Sequence, residues 1–168
     1  MQWLWIGLGI VVGVVAVVLI WGALLPKEHS CTVARTYRTT PERVWALITK
    51  VEEFPRWRRD VASIEVRERG TDGAPVAWTE RSSFGPIPLR TIEQQPPHLL
   101  VGRIDSDELP FGGTWTYRIE DLGDGSVRLS ITEDGEVENV LFRFLSRYVF
   151  GHDKTMKTYH DHVAGALR

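Results

Sequence analysis

Apolar positions fall into three patterns along this chain. From Trp3 to Leu25, "WLWIGLGIVVGVVAVVLIWGALL", they are continuous and no charged side chain interrupts them. From Cys31 to about Asp134 they alternate with polar residues in short stretches parted by Gly and Pro clusters. Beyond Gly135 they recur at helical spacing. The first pattern predicts a membrane-spanning helix, because about 20 residues at about 1.5 Å each match a hydrocarbon core about 30 Å thick. Trp3, Trp5 and Trp21 stand near its two ends, where an indole ring stays in the apolar layer while its N–H reaches interfacial water. A cleaved signal peptide would want basic residues ahead of a shorter run and a small-x-small cleavage site; no Lys or Arg precedes Trp3, and Trp21 spoils the site ending at Ala23. Residues 1–26 are therefore read as a retained anchor. Lys27, Arg35, Arg38 and Arg43 follow it, a bias that places the remainder in the cytoplasm. Gly9 and Gly13 make a GxxxG spacing through which two such helices could approach as a homodimer.

The second pattern predicts a sheet within residues 27–168. After a polar linker, Lys27 to Ser30, "CTVARTYR" alternates as a strand. Thr39 or Thr40 then caps a short helix that opens with Pro41 and Glu42 and carries Val44, Leu47, Ile48 and Val51 at helical spacing. Pro55 ends it, and "RWRRDVASIEVRE" leads into a second strand. The turn clusters "GTDGAP", "FGPIP", "QQPPH", "LPFGG" and "LGDGS" then punctuate an antiparallel meander. Its clearest faces are Trp115, Tyr117 and Ile119 on one strand and Val127, Leu129 and Ile131 on the next. The third pattern sets Leu141, Leu145, Tyr148, His152, Met156, Tyr159 and Val163 on one stripe of a long helix. That stripe must be laid on something apolar, and the sheet is the large apolar surface on offer. The fold class is α+β: an antiparallel sheet curved around a long C-terminal helix, with one N-terminal transmembrane helix.

Composition narrows the function classes. Lys plus Arg number 20 against 22 Asp plus Glu, a net charge of −2. That balance lacks the basic excess of a nucleic-acid-binding surface. Cys31 is the single cysteine, so neither an internal disulfide nor a thiolate zinc site is available. "YHDHV", His160 to Val163 with its neighbours, invites a metal reading, but helical residues two apart face different sides and the run is read as a solvated face. No metal site and no cofactor are expected.

The segment "PERVWALITKVEEFPRWRRDV" and the closing "ITEDGEVENVLFRFLSRYVFGHDKTMKTY" resemble the START-like or Bet v 1-like superfamily, the polyketide cyclase/dehydrase and lipid-transport group, over essentially the whole of residues 32–167. The resemblance implies a helix-grip fold in which Val44, Trp45, Ile48 and Phe54 plug the narrow end of the sheet, with Arg56, Arg58 and Arg59 as a solvated rim or a contact to anionic headgroups. It also implies a cavity between sheet and helix. Strand alternation and the helix stripe nominate Trp78, Glu80, Trp115, Tyr117, Ile131, Tyr148, Met156 and Tyr159 as its lining. Glu133 and His152 are the candidates for acid–base chemistry, with structural pairing as the plainer reading. The expectation is a membrane-anchored domain that binds a hydrophobic small molecule of lipid or isoprenoid type. A cyclase or dehydratase acting on an apolar substrate, and a membrane-tethered protein-interaction module, are the alternatives.

Overall fold

The computed structural model of this chain describes residues 2–82, 85–145, 148 and 153–168. Its first element, α1 (Gln2–Leu24), is long and apolar enough to cross a membrane by length and composition. Nearly every described side chain on it points outward, with Trp3 85% and Trp5 70% exposed. One stripe is covered: Val18 and Leu25 are half-buried and Gly22 is buried, at spacings of four and three residues. Gly9 and Gly13 meet nothing, so the GxxxG face is open.

The sheet begins earlier than the alternation alone suggested. β1 (Glu28–Arg38) takes in the residues read as a linker, because Glu28, His29 and Ser30 already pair with Glu136, Gly135 and Asp134 of the last strand. α2 (Pro41–Thr49) follows, capped by the Thr40 hydroxyl, which accepts the Arg43 N–H at 3.4 Å. A single 3₁₀ turn (Val51–Glu53) and the short α3 (Phe54–Trp57) complete the first helical layer. Six more strands run as β2 (Val61–Arg69), β3 (Pro75–Ser82), β4 (Gly85–Gln95), β5 (Leu99–Ile104), β6 (Phe111–Asp121) and β7 (Ser126–Val137). The "FGPIP" and "LPFGG" clusters thus lie partly inside strands. Gly113 shows why glycine is needed there: at φ +139° a side chain would be strained, and a Cβ would run into the Asp134 carbonyl across the ladder.

All seven strands are antiparallel, in the order β1-β7-β6-β5-β4-β3-β2, with α4 (Val140–Leu145) and α5 (Lys154–Ala166) after them. Register shifts between β2 and β3 and between β4 and β5 mark bulges, which bend strands and help the sheet curl. The element it curls around is α5. Met156, Tyr159 and Val163 of α5 join Tyr37, Val127, Leu129 and Ile131 of the sheet and Val44 and Ile48 of α2 in one core. The stripe read as one long helix is therefore divided. Leu141 is 45% exposed, and α4 turns to α1 instead of the sheet: Arg143 Nη1 donates to the Leu25 carbonyl at 3.0 Å, and a Cβ on Gly22 would collide with the Val140 carbonyl. Lys27 closes the joint, its Nζ 2.8 Å from Glu138 and its carbonyl accepting the Val137 N–H at 2.9 Å.

Candidate functional site

The strand register decides which side chains share the concave face. Cys31 lies opposite Glu133, Val33 opposite Ile131, and Tyr37 opposite Val127. Across the next ladder Trp115 meets Glu133, Tyr117 meets Ile131 and Ile119 meets Leu129. Since Tyr37, Ile119, Val127, Leu129 and Ile131 pack beneath α5, every residue in phase with them faces inward. Among the described residues three polar constellations occur on this face.

The first is closed. His160 of α5 is 0% exposed, against the reading of its segment as a solvated face. Its Nε2 lies 3.1 Å from the Val33 carbonyl and its Nδ1 2.7 Å from the Tyr37 hydroxyl. A neutral ring that donates from Nε2 and accepts at Nδ1 satisfies both partners. Burial accordingly holds the His160 pKa below its ordinary value and pushes that of Tyr37 up. Asp161 and His162 diverge from it, to Arg35 at 2.7 Å and to Asp60 at 3.2 Å. Among the described residues no group of three or more His, Cys, Asp or Glu side chains is placed to hold a metal.

The second is also closed. Arg58 belongs to no solvated rim: its Nη1 donates to Glu80 Oε1 at 3.0 Å and its Nη2 to Asp60 Oδ2 at 2.7 Å, with only 12% and 10% of the Arg58 and Glu80 side chains exposed. The guanidinium carbon sits 5.1 Å from the centres of both the Phe54 and Tyr159 rings. Trp78 Nε1 donates to Glu80 at 3.4 Å. Trp57, Trp115 and Tyr117 gather around Tyr159 with ring centres 5.6 to 6.4 Å away. Burial raises the pKa of Tyr117 and Tyr159, so both remain neutral phenols. Arg56 and Arg59 are exposed.

The third is different. Glu133 lies on the concave face beside half-buried Cys31 and Trp115, its Oε1 3.6 Å from His29 Nε2. Desolvation alone pushes its carboxyl up to about 7. Gly135 makes room for the imidazole: any Cβ there would run into the His29 ring. A carboxyl poised near neutrality next to an imidazole can hold or release a proton at the operating pH, and its apolar surroundings suit a ligand with little charge.

The family model described as polyketide cyclase / dehydrase and lipid transport matches residues 28–159. The chain belongs to that family. The matched residues run from the start of β1 to Tyr159 within α5, and α1 lies ahead of them. No curated protein matches the chain. Solved structures similar to it include a START superfamily protein from Mycobacterium smegmatis (TM-score 0.68, 15% identity, 83% of this chain and 97% of that one). Norcoclaurine synthase from Thalictrum flavum superimposes with a TM-score of 0.65 at 10% identity, over 83% of this chain and 86% of its own, and has also been solved with dopamine and hydroxybenzaldehyde. A protein from Arthrobacter aurescens gives 0.60 at 16% identity, covering 82% and 85%. At such identities the likeness establishes the shared START-like, helix-grip fold.

Against this frame the nominated residues separate. Trp115, Tyr117, Ile131, Met156 and Tyr159 all face the interior of the family fold, and Met156 and Ile131 are fully buried in its core. Trp78 and Glu80 are buried together but tied to Arg58. Tyr148 departs from the expected wall: it is 56% exposed and packs on Phe144. His152 lies outside the described residues. The partner of Glu133 among the described residues is His29, which sequence reasoning assigned to a linker. Extending the β1 alternation two residues upstream from Cys31 would have found it. A polar groove of about 580 Å³ next to the β5–β6 turn, lined in part by Arg103, Asp105, Asp107 and Glu108, has the wrong chemistry for an apolar guest.

Proposed function

We propose that this chain is a membrane-anchored domain that binds a hydrophobic small molecule, of lipid or isoprenoid type, on the concave face between the sheet and α5. The observation that supports it is the uneven filling of that face. Around Tyr37, Val127 and Leu129 the face is sealed by α5, whereas inward-facing Cys31, Trp115 and Glu133 keep accessible surface. Apolar walls with one convergent polar pair are what a small hydrophobic ligand needs. Residues 1–26 form the anchor, with Trp3, Trp5 and Trp21 at the interfaces, and residues 27–168 the ligand-binding domain. The charge bias after α1 supports a cytoplasmic position for that domain.

The test is mass spectrometry of lipids that co-purify with the detergent-extracted full chain, followed by titration with a fluorescent fatty-acid or isoprenoid analogue. Saturable binding that Cys31→Phe abolishes, by filling the open part of the face, is the expected result. Wild-type protein that binds no apolar probe would refute the reading. The His29–Glu133 pair favours a second reading, acid–base catalysis on an apolar substrate of the cyclase or dehydratase kind. Turnover lost in both Glu133→Gln and His29→Asn with affinity retained would establish it in place of simple binding.

A further inference from the structure

We infer that α4 is a lipid-embedded shoulder of the domain, with Leu141 and Phe142 lying in the outermost layer of the bilayer that holds α1. The inference rests on the anchor reading of α1 and adds how the domain sits on the membrane.

Depth is the first argument. α4 touches Gly22 of α1 and Leu25 just after it, both ahead of Lys27, the first charged residue. At about 1.5 Å per residue Gly22 stands about 4 to 5 Å inside the end of the apolar run. A helix packed sideways on that level shares its depth, which is where interfacial helices sink an apolar face about 5 to 10 Å into the headgroup and acyl boundary.

Chemistry is the second. The sequence of α4, "VLFRFL", has one charged side chain, and Arg143 turns it inward onto the carbonyls of Leu25 and Glu138. What α4 shows to its surroundings is Leu141, 45% exposed, and Phe142, 41% exposed, with Tyr148 at 56% beyond them. Amphipathic rings such as that of Tyr148 favour the membrane–water border. The opposite end of the sheet, at the β6–β7 turn, carries exposed Gly123, Asp124 and Gly125 instead. Glu28 and Glu136 pair at the α4 end, beside the Lys27–Glu138 ion pair. The attraction is therefore apolar and needs no anionic lipid.

The consequence concerns the candidate site. His29 lies two residues beyond Lys27 on β1, about 7 Å along a strand, with Glu133 across from it. The open part of the concave face is thus held at the bilayer surface, and an apolar guest would reach it without crossing bulk water.

Single cysteines replacing Leu141, Phe142 or Asp124 in a Cys31→Ser background would carry a polarity-sensitive fluorophore, with the full chain reconstituted in phosphatidylcholine vesicles containing a shallow spin-labelled lipid. Blue-shifted emission and loss of fluorescence at positions 141 and 142, with neither at 124, is the expected result. The unmodified chain in vesicles bearing a diazirine phosphatidylcholine guards against misfolded variants: photolabel mapped by mass spectrometry should fall on α1 and on the peptide containing Leu141 and Phe142. Label confined to α1, with water-like emission at 141 and 142, overturns the shoulder and leaves the anchor standing. Label on neither overturns the anchor reading, and the shoulder with it.

Discussion

Two histidine-bearing sites on the same concave face differ in how deeply they are buried. At the Tyr37–His160 end, each imidazole nitrogen faces one partner and the tyrosine hydroxyl also lies 3.1 Å from the His160 carbonyl, all of it beneath a sealed core. At the His29–Glu133 end the nitrogen-to-oxygen distance is 3.6 Å, the side chains keep 17% and 22% exposure, and burial alone shifts the carboxyl. A fully answered buried network rigidifies a core. A carboxyl desolvated beside accessible apolar surface is shifted by burial instead, and shifted carboxyls cluster at functional sites more often than elsewhere. The Arg58–Glu80 pair belongs with the first kind, although its glutamate was nominated as cavity lining.

That grouping is broken most severely at Arg58. Arg58→Leu strands Glu80 as an uncompensated charge beneath Trp78, and removal of one partner of such a pair costs about 3 to 5 kcal/mol. The double variant Arg58→Leu, Glu80→Leu should recover much of that loss. Urea unfolding of the detergent-solubilised full chain, followed by near-ultraviolet circular dichroism, makes the comparison. A single variant as stable as wild type would place Glu80 with the open site.

Next in size is the pH profile set by Glu133. Its folded pKa of about 7 stands above the ordinary 4.5, so the native state holds a proton that the unfolded chain releases across that window. Its contribution is whole below about pH 4.5 and is lost as pH rises through about 7, up to about 3 kcal/mol in all. Glu133→Gln should match wild type in acid and exceed it above about pH 8. Parallel profiles for the two proteins would mean that the carboxyl is solvated after all.

His160 acts in the opposite sense. Its pKa is depressed, so its contribution is present above the ordinary value of 6.5 and is lost as pH falls below it. His160→Leu leaves the Val33 carbonyl without its donor and one of two acceptors gone from Tyr37, a cost of about 1 to 3 kcal/mol. The variant should also lose the acid-side decline in stability. A variant that keeps this decline would move the titrating group elsewhere.

Periodicity told apart what was local and missed what depended on a partner. The alternation of Trp115, Tyr117 and Ile119 against Val127, Leu129 and Ile131 fixed two strands and their inward faces, since side chains in a strand have only two sides to choose from. Thr40 and Pro41 marked the start of α2 for the same local reason. His29 was lost because a strand beginning "EHS" has no apolar residue to announce its phase; only pairing with Glu136, Gly135 and Asp134 makes it a strand. Arg58 was lost because burial of a guanidinium depends on Glu80, which is 22 positions away. The stripe from Leu141 to Val163 was real as a pattern, yet α4 spends its polar side on the end of α1, a choice invisible to a count of apolar positions.

The smallest effect is expected where that stripe misled. A stripe continuous from Leu141 to Val163 would put Leu141 in dense packing, where truncation to alanine costs about 2 to 5 kcal/mol through lost burial and a void. Leu141 is instead 45% exposed on α4, whereas Met156 of α5 is completely buried in the core. Leu141→Ala should therefore change the unfolding of the domain by less than about 0.5 kcal/mol, as surface substitutions do. The same unfolding experiment in detergent, with Met156→Ala alongside as the buried control, separates the two pictures. Equal losses at both positions would return α4 to the core and close the open end of the face. A Leu141→Ala curve that overlies wild type while Met156→Ala shifts far below it would leave the sheet wrapped around α5 alone.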